Sequence, residues 1–186
     1  MKIAVFCGSS SGESPEFVRA TKDLGCFLAS NGVDLVYGGG KVGLMGVIAD
    51  SFLDNDGKVY GVIPEHLKDR EIAHAGLTEL KVVADMHERK TTMAQMADAF
   101  VALPGGAGTL EEIFEAWTWA QLGHHSKPCA FYNINGFYDP LIEMIAQMVG
   151  SGFLKSQYAE MLINTDQASE LLSSIKSYRA PKQKWA

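Results

Sequence analysis

Ala99-Phe100-Val101-Ala102-Leu103-Pro104-Gly105-Gly106-Ala107-Gly108-Thr109-Leu110-Glu111-Glu112 holds the plan of the whole chain in miniature. Ala99 to Leu103 is an unbroken apolar run of strand length, as expected of a strand covered on both faces. Pro104-Gly105-Gly106 ends it, and a helical pattern follows from about Thr109 to Leu122. The unit is therefore strand, small-residue loop, helix.

The same unit recurs toward the N-terminus. Ile3 to Cys7 reads as a buried strand. Ser14-Pro15 forms an N-cap and first-turn pair for a helix carrying Phe17, Leu24 and Leu28, which stops at Asn31-Gly32. Val33 to Tyr37 runs into Gly38-Gly39-Gly40. A helix from about Val42 to Asp54 follows and ends at Asn55-Asp56-Gly57. Val59 to Ile63 is a third strand, stopped by Pro64. After a polar, irregular stretch comes Leu80 to Val83, a fourth strand. Asp85 and Glu88 then match a capping box for a helix reaching Met96.

Toward the C-terminus, Cys129 to Tyr132 is a sixth strand, followed by a helix from about Tyr138 to Val149. Leu162-Ile163 is a short last strand. Asp166 is placed to cap a final helix bearing Leu171, Leu172 and Ile175. Alternating strands and helices with continuously apolar strands predict an α/β fold: one doubly wound parallel sheet of six or seven strands, with helices on both faces. Residues 1–178 form one domain and 179–186 a tail, without internal repeat or linker.

Composition narrows the function. A net charge of −6 argues against a nucleic-acid binder, which would carry a basic stripe. A small anion remains admissible, because backbone N–H groups hold phosphate without net positive charge. The three cysteines, Cys7, Cys26 and Cys129, are odd in number and lack C-x-x-C spacing, so reduced thiols and a cytoplasmic location are expected. The apolar run after Lys2 ends at Cys7, too short for a signal peptide, and no stretch reaches membrane-span length.

Three loops share one plan: Gly8-Ser9-Ser10, Gly38 to Gly43, and Pro104 to Thr109. Glycine lets backbone approach a ligand closely, and the following helix N-terminus offers N–H donors and partial positive charge. A parallel sheet gathers such loops at its carboxyl edge, where ligands bind. One loop alone is an ordinary turn; three in register point to a phosphate or nucleotide site. The middle loop matches G-x-G-x-x-G through Gly38, Gly40 and Gly43. It follows the second strand, however, and the acidic residue expected after the next strand is displaced to Glu65, so a dinucleotide reading is disfavoured.

Glu111 and Glu112 are expected in the first helical turn, where acids complement the helix dipole, with Glu115 on the face of Glu112. One carboxylate facing a bound sugar would stabilise an oxocarbenium-like transition state or activate water. Asp85-Met86-His87-Glu88-Arg89-Lys90 reads from its pattern as a solvated helix start, with Arg89 of a type suited to phosphate or carboxylate recognition. His87-Glu88 opens an H-E-x-x-H string, but position 91 is Thr, and His124-His125 reads as a helix C-terminal pair, so no metal site is expected. Met93, Met96, Trp117 and Trp119 read as packing or interface residues, and Cys7 as buried and inert.

Cys7-Gly8-Ser9-Ser10, Gly38-Gly39-Gly40 with Gly43-Leu44-Met45-Gly46, Met86-His87-Glu88-Arg89-Lys90 and the PGGxGTxxE string together resemble the LOG ("lonely guy") family. Its members are cytokinin riboside 5'-monophosphate phosphoribohydrolases. The similarity runs from Lys2 to about Gly150. Older labels call such proteins lysine decarboxylases, but no lysine here lies in a recognisable pyridoxal phosphate context. The resemblance implies a Rossmann-like fold, a homodimer or larger assembly, and release of a free base plus ribose 5-phosphate, with no cofactor or metal.

It also implies a catalytic pair at Arg89 and Glu112. The loops and the resemblance together give an expected substrate-binding set of Gly8, Ser9, Gly39, Gly40, Glu71, Met86, Lys90, Gly105, Gly106, Gly108, Thr109, Glu111 and Thr118. Ala107 departs from the tyrosine usual in plant members, which opens the question of base specificity. Two other classes compete: a nucleotide or molybdenum cofactor carrier of the same fold, binding without turnover, and a nicotinamide-dependent oxidoreductase. Retention of Arg89 and Glu112 disfavours the first; the missing hydride-transfer site disfavours the second.

Overall fold

The computed structural model describes residues 1–68 and 73–181. Seven strands form one fully parallel sheet: β1 (Lys2–Phe6), β2 (Asp34–Tyr37), β3 (Val59–Pro64), β4 (Glu79–Val83), β5 (Ala99–Ala102), β6 (Cys129–Tyr132) and β7 (Leu162–Thr165). Their spatial order is β4-β3-β2-β1-β5-β6-β7. The chain winds outward from β1 in one direction, returns to β5, and winds outward in the other. The switch point falls between β1 and β5, where Ile3 pairs with Ala99 and Phe6 with Ala102.

The helices are α1 (Pro15–Ser30), α2 (Gly43–Leu53), α3 (Met86–Met96), α4 (Ala107–Leu122), α5 (Asp139–Gly150), α6 (Ser156–Ala159) and α7 (Ala168–Ser177). Alternate strand residues feed two cores. Ile3 and Val5 join Leu24, Leu28, Ile48, Phe52 and Leu171, so α1, α2 and α7 cover one face. Ala4 and Phe6 join Met93, Ile113, Trp117, Ile145 and Tyr158, so α3 to α6 cover the other. Both faces of the central strands are dry, which is why their sequences show no polar alternation.

The N-terminal signals act as read. Ser14 Oγ accepts from Glu16 N–H at 3.3 Å at the start of α1, and Gly32 closes it at φ +71°. At α3, Asp85 Oδ1 accepts from Glu88 N–H at 2.9 Å, and Glu88 Oε2 accepts from Ala84 N–H at 2.8 Å. Three expectations are corrected. Helix α4 begins at Ala107 with Gly106 as an extended N-cap, not near Thr109, so Glu111 and Glu112 lie beyond its first turn and do not complement its dipole there. Asp166 does not cap α7: Gln167 is the N-cap, and its N–H donates to Thr165 Oγ1 at 3.1 Å. Pro64 is the last residue of β3, paired with Val83, rather than a stop before it. Short helical turns at Glu65–Leu67 and Ile134–Gly136, and α6 itself, had no signal strong enough to read.

Candidate active site

Sheet pairing between β1 and β5 persists just past the strand ends. Leu103 N–H donates to Phe6 carbonyl at 2.9 Å, and Gly8 N–H to Pro104 carbonyl at 3.1 Å. The chains then part to opposite faces, and a cavity of about 250 Å³ opens between them. This is the crevice in which doubly wound sheets bind ligands. Tyr138, fully buried, supports the end of β5: its hydroxyl donates to Leu103 carbonyl at 2.6 Å. Burial, reinforced by nearby Cys7, pushes the Tyr138 pKa well above the ordinary phenol value, so it stays a donor.

The cavity brings together Gly8, Ser9, Met86, Arg89, Gly106, Gly108, Thr109, Glu111 and Glu112 from the expected set. These come from the ends of β1 and β5 and from α3 and α4. In α4 the first intrahelical bond runs from Leu110 N–H to Gly106 carbonyl at 3.2 Å. The N–H groups of Ala107, Gly108 and Thr109 therefore point out of the helix end, toward any anion in the cavity.

Other expected residues stand differently. Gly39 and Gly40 do not line the cavity: they form its outer support, where Gly40 bridges to Ala73. Gly105 lies behind the loop, and a side chain there would collide with Thr109 Oγ1. Lys90 does not line the cavity but lies between α3 and α4, its ammonium on Glu111 and Glu115. Thr118 is exposed about three turns along α4 and lines none of the cavity. Glu71 lies outside the described residues.

Arg89 is the electrostatic centre. Its side chain is only 5% exposed, in a cavity at the edge of an otherwise apolar core. Its guanidinium packs against Gly38, where any added Cβ would overlap Nη2, and Nη1 stands 3.7 Å from Met86 Sδ. A buried, permanent cation beside Glu112 in a cleft is a strong device for holding an anion or a developing charge pair. Lys90, next in sequence, is gripped by Glu111 Oε1 at 2.6 Å and Glu115 Oε2 at 3.1 Å. Burial alone would lower its pKa; the two carboxylates outweigh this and hold the ammonium above the usual lysine value. The grip locks α3 to α4, and so fixes Arg89 relative to Glu112.

The expected binding set leaves out Gly38 and Met45, quoted only within their motifs, and Leu67, while Met93 and Cys7 are assigned only to packing; all five line the cavity. Met93 and Cys7 are buried as expected. Met45, Met86 and Met93 give the cavity a deformable thioether wall, which suits a variable apolar group. Trp117 is buried packing, its Nε1–H donating to Tyr158 carbonyl at 2.9 Å. His125 follows the left-handed α4 cap Gly123, and its burial lowers the pKa, aided by Lys127 and His124. Among the described residues no three His, Cys, Asp or Glu side chains cluster to hold a metal, and no helix is long and apolar enough to cross a membrane.

A family model described as "Possible lysine decarboxylase" matches residues 45–175. A cytokinin riboside 5'-monophosphate phosphoribohydrolase of Arabidopsis thaliana is 46% identical, covering 95% of this chain and 82% of that one. The cytokinin riboside 5'-monophosphate phosphoribohydrolase LOG of Oryza sativa subsp. japonica is 45% identical over 95% of this chain and 73% of its own length. Among solved structures, the molybdenum cofactor binding protein of Rippkaea orientalis superposes with a TM-score of 0.70 at 19% identity, covering 95% of each chain. The molybdenum cofactor carrier protein of Chlamydomonas reinhardtii does so at 0.70 and 18%, covering 94% of this chain and 95% of that one. At that identity the likeness is one of fold alone.

Proposed function

From the premise that the chain belongs to the LOG family, to whose curated phosphoribohydrolases it is 45–46% identical, we propose that it hydrolyses the N-glycosidic bond of cytokinin riboside 5'-monophosphates. AMP is a second substrate to be compared with them. The products are free base and ribose 5-phosphate. The observation that carries this reading is the convergence of Arg89, Glu112 and the open N-terminus of α4 on one cavity.

In this scheme the 5'-phosphate sits on the N–H groups of Gly106 to Thr109, with Gly8 and Ser9 across from them. The ribose then lies over the ends of β1 and β5. As the C1–N bond lengthens, positive charge develops at C1, and the Glu112 carboxylate stabilises it and orients the attacking water. The fixed positive charge of Arg89, on the same cavity, complements that carboxylate. Water contributes hydroxyl to C1, and its proton leaves with the base. The thioethers of Met45, Met86 and Met93 give an apolar substituent a wall, which favours an isoprenoid-bearing base over plain adenine. The carrier alternative gives no reason for Glu112 to face the cavity.

Cysteines kept as thiols, outside any disulfide, fit a reducing, cytoplasmic setting. The working unit in this reading is a homodimer. The half-buried Trp119 and the apolar hollow it lines with Thr91, Ala94 and His125 offer a seam for the second copy, and light scattering of the purified protein checks it.

The decisive experiment incubates the protein with AMP and with isopentenyladenosine 5'-monophosphate and follows free base by chromatography. Base release from the parent is expected, with Glu112→Gln slower by about 10²–10⁴-fold. Full activity in Glu112→Gln removes the centre of the mechanism. Bound nucleotide without turnover in the parent returns the carrier reading.

A further inference from the structure

Outside the cavity, one buried titratable side chain has every polar atom of its ring committed. His74 is 6% exposed. Its Nε2 lies 2.9 Å from Asp50 Oδ1 on α2, and its Nδ1 accepts Gly76 N–H at 3.0 Å. Because Nδ1 accepts, the proton sits on Nε2 and is donated to the carboxylate, so the tautomer is fixed. The backbone at the same residue is committed as well: His74 N–H donates to Gly39 carbonyl at 3.0 Å, and Ala73 bridges to Gly40. Ala73 N–H also donates to Lys68 carbonyl at 3.0 Å, one residue after Leu67, which lines the cavity.

These bonds form a chain that ends at Arg89. The imidazole is pinned to α2 through Asp50. The His74 backbone pins Gly39 and Gly40. Gly38, next in line, is the floor on which the Arg89 guanidinium rests with no room for a methyl group. We propose that His74 and Asp50 form a clamp that positions the Gly38–Gly40 backbone, and through it Arg89, for the reaction. They are positioning residues: neither lines the cavity. The Asp50 side chain is 53% exposed, so the core does not need it, and its role here is geometric. The inference rests on the hydrolase reading for its kinetic consequence.

The test compares Asp50→Ala, Asp50→Asn and His74→Ala in the full chain. Loss of the acceptor in Asp50→Ala, or of the donor in His74→Ala, is expected to lower kcat/KM for AMP by about tenfold, whereas Asp50→Asn, which keeps an oxygen for the Nε2 proton, stays within about twofold of the parent. Asp50 lies at the surface, so its variants carry the test even if His74→Ala fails to fold. Parental kcat/KM in folded Asp50→Ala overturns the proposal, as does an Asp50→Asn loss equal to that of Asp50→Ala. If the parent itself releases no base, the hydrolase reading has failed, and the clamp is then judged on the backbone amide resonances of Gly38, Gly39 and Gly40. They are expected to move in Asp50→Ala and to hold in Asp50→Asn; unmoved resonances in Asp50→Ala overturn it.

Discussion

The loop after β2 and the loop after β5 look alike in sequence and differ in what their glycines make room for. Around Gly38 to Gly46 the space is taken by the protein itself. A Cβ on Gly38 would meet the Arg89 guanidinium, one on Gly43 the backbone of Ser9 and Ser10, and one on Gly46 the Lys41 carbonyl. In the loop after β5 Gly105 is packed in the same way, against Thr109, but around Gly106 and Gly108 a Cβ would meet nothing within 4 Å. The first set is needed to pack the fold. The second leaves a space that packing does not use, at the open end of α4. Glycines that close nothing are the better pointer to a ligand.

The largest effect that tests this contrast is Gly43→Ala. Gly43 has φ +55° and backbone atoms directly in the way, so the variant is expected to lose on the order of 3 kcal/mol of stability by urea denaturation. A change below a few tenths of that removes the packing half of the comparison. Next is Gly38→Ala, which displaces Arg89. Its expected signature is a fall in base release of about 30-fold, with a smaller loss of stability. Then comes Gly108→Ala, the converse case. Alanine suits a helix better than glycine, so the protein gains about 0.5 kcal/mol, while nucleotide affinity by calorimetry falls about fivefold. Unchanged affinity would mean that the open space is not where the phosphate sits.

The smallest effect lies at the α3 cap that sets the start of the Arg89 helix. Hydrogen bonding from Glu88 N–H, against slight desolvation, holds the Asp85 carboxyl below its usual pKa. A depressed folded-state value means the cap stabilises the protein above the ordinary carboxylate range and is lost as pH falls through the folded pKa. Asp85→Ala therefore melts slightly below the parent at neutral pH, and the two curves converge as pH drops from about 4. A gap that persists in acid would show that the ionised cap is not its source.

Most strands were legible because they are buried on both faces and so carry unbroken apolar runs; Ala99 to Ala102 is the clearest. Ser14 and Asp85 were legible because capping is local chemistry. The start of α4 was not, since Ala107 and Gly108 read as loop and only the Gly106 N-cap geometry shows otherwise. Of the candidate site, the glycine loop after β5 was legible from pattern, whereas the pairing of Arg89 with Glu112 came from the resemblance. The contact of Arg89 with Gly38, and the His74–Asp50 pair, join residues far apart in the chain through the strand order, and no spacing encodes them. Thr118, singled out by resemblance, lies away from the cavity on a solvent-facing turn.

Lys90 is held by two carboxylates where one would keep it in place. Over evolutionary time that redundancy permits drift. Glu111 can be replaced while Glu115 retains the lysine, and the reverse, without α3 and α4 sliding apart. Loss of both strands a nearly buried ammonium, so as far as the α3–α4 seam is concerned the two positions are bound jointly rather than singly, a pattern that a survey of natural variants would read as correlated change.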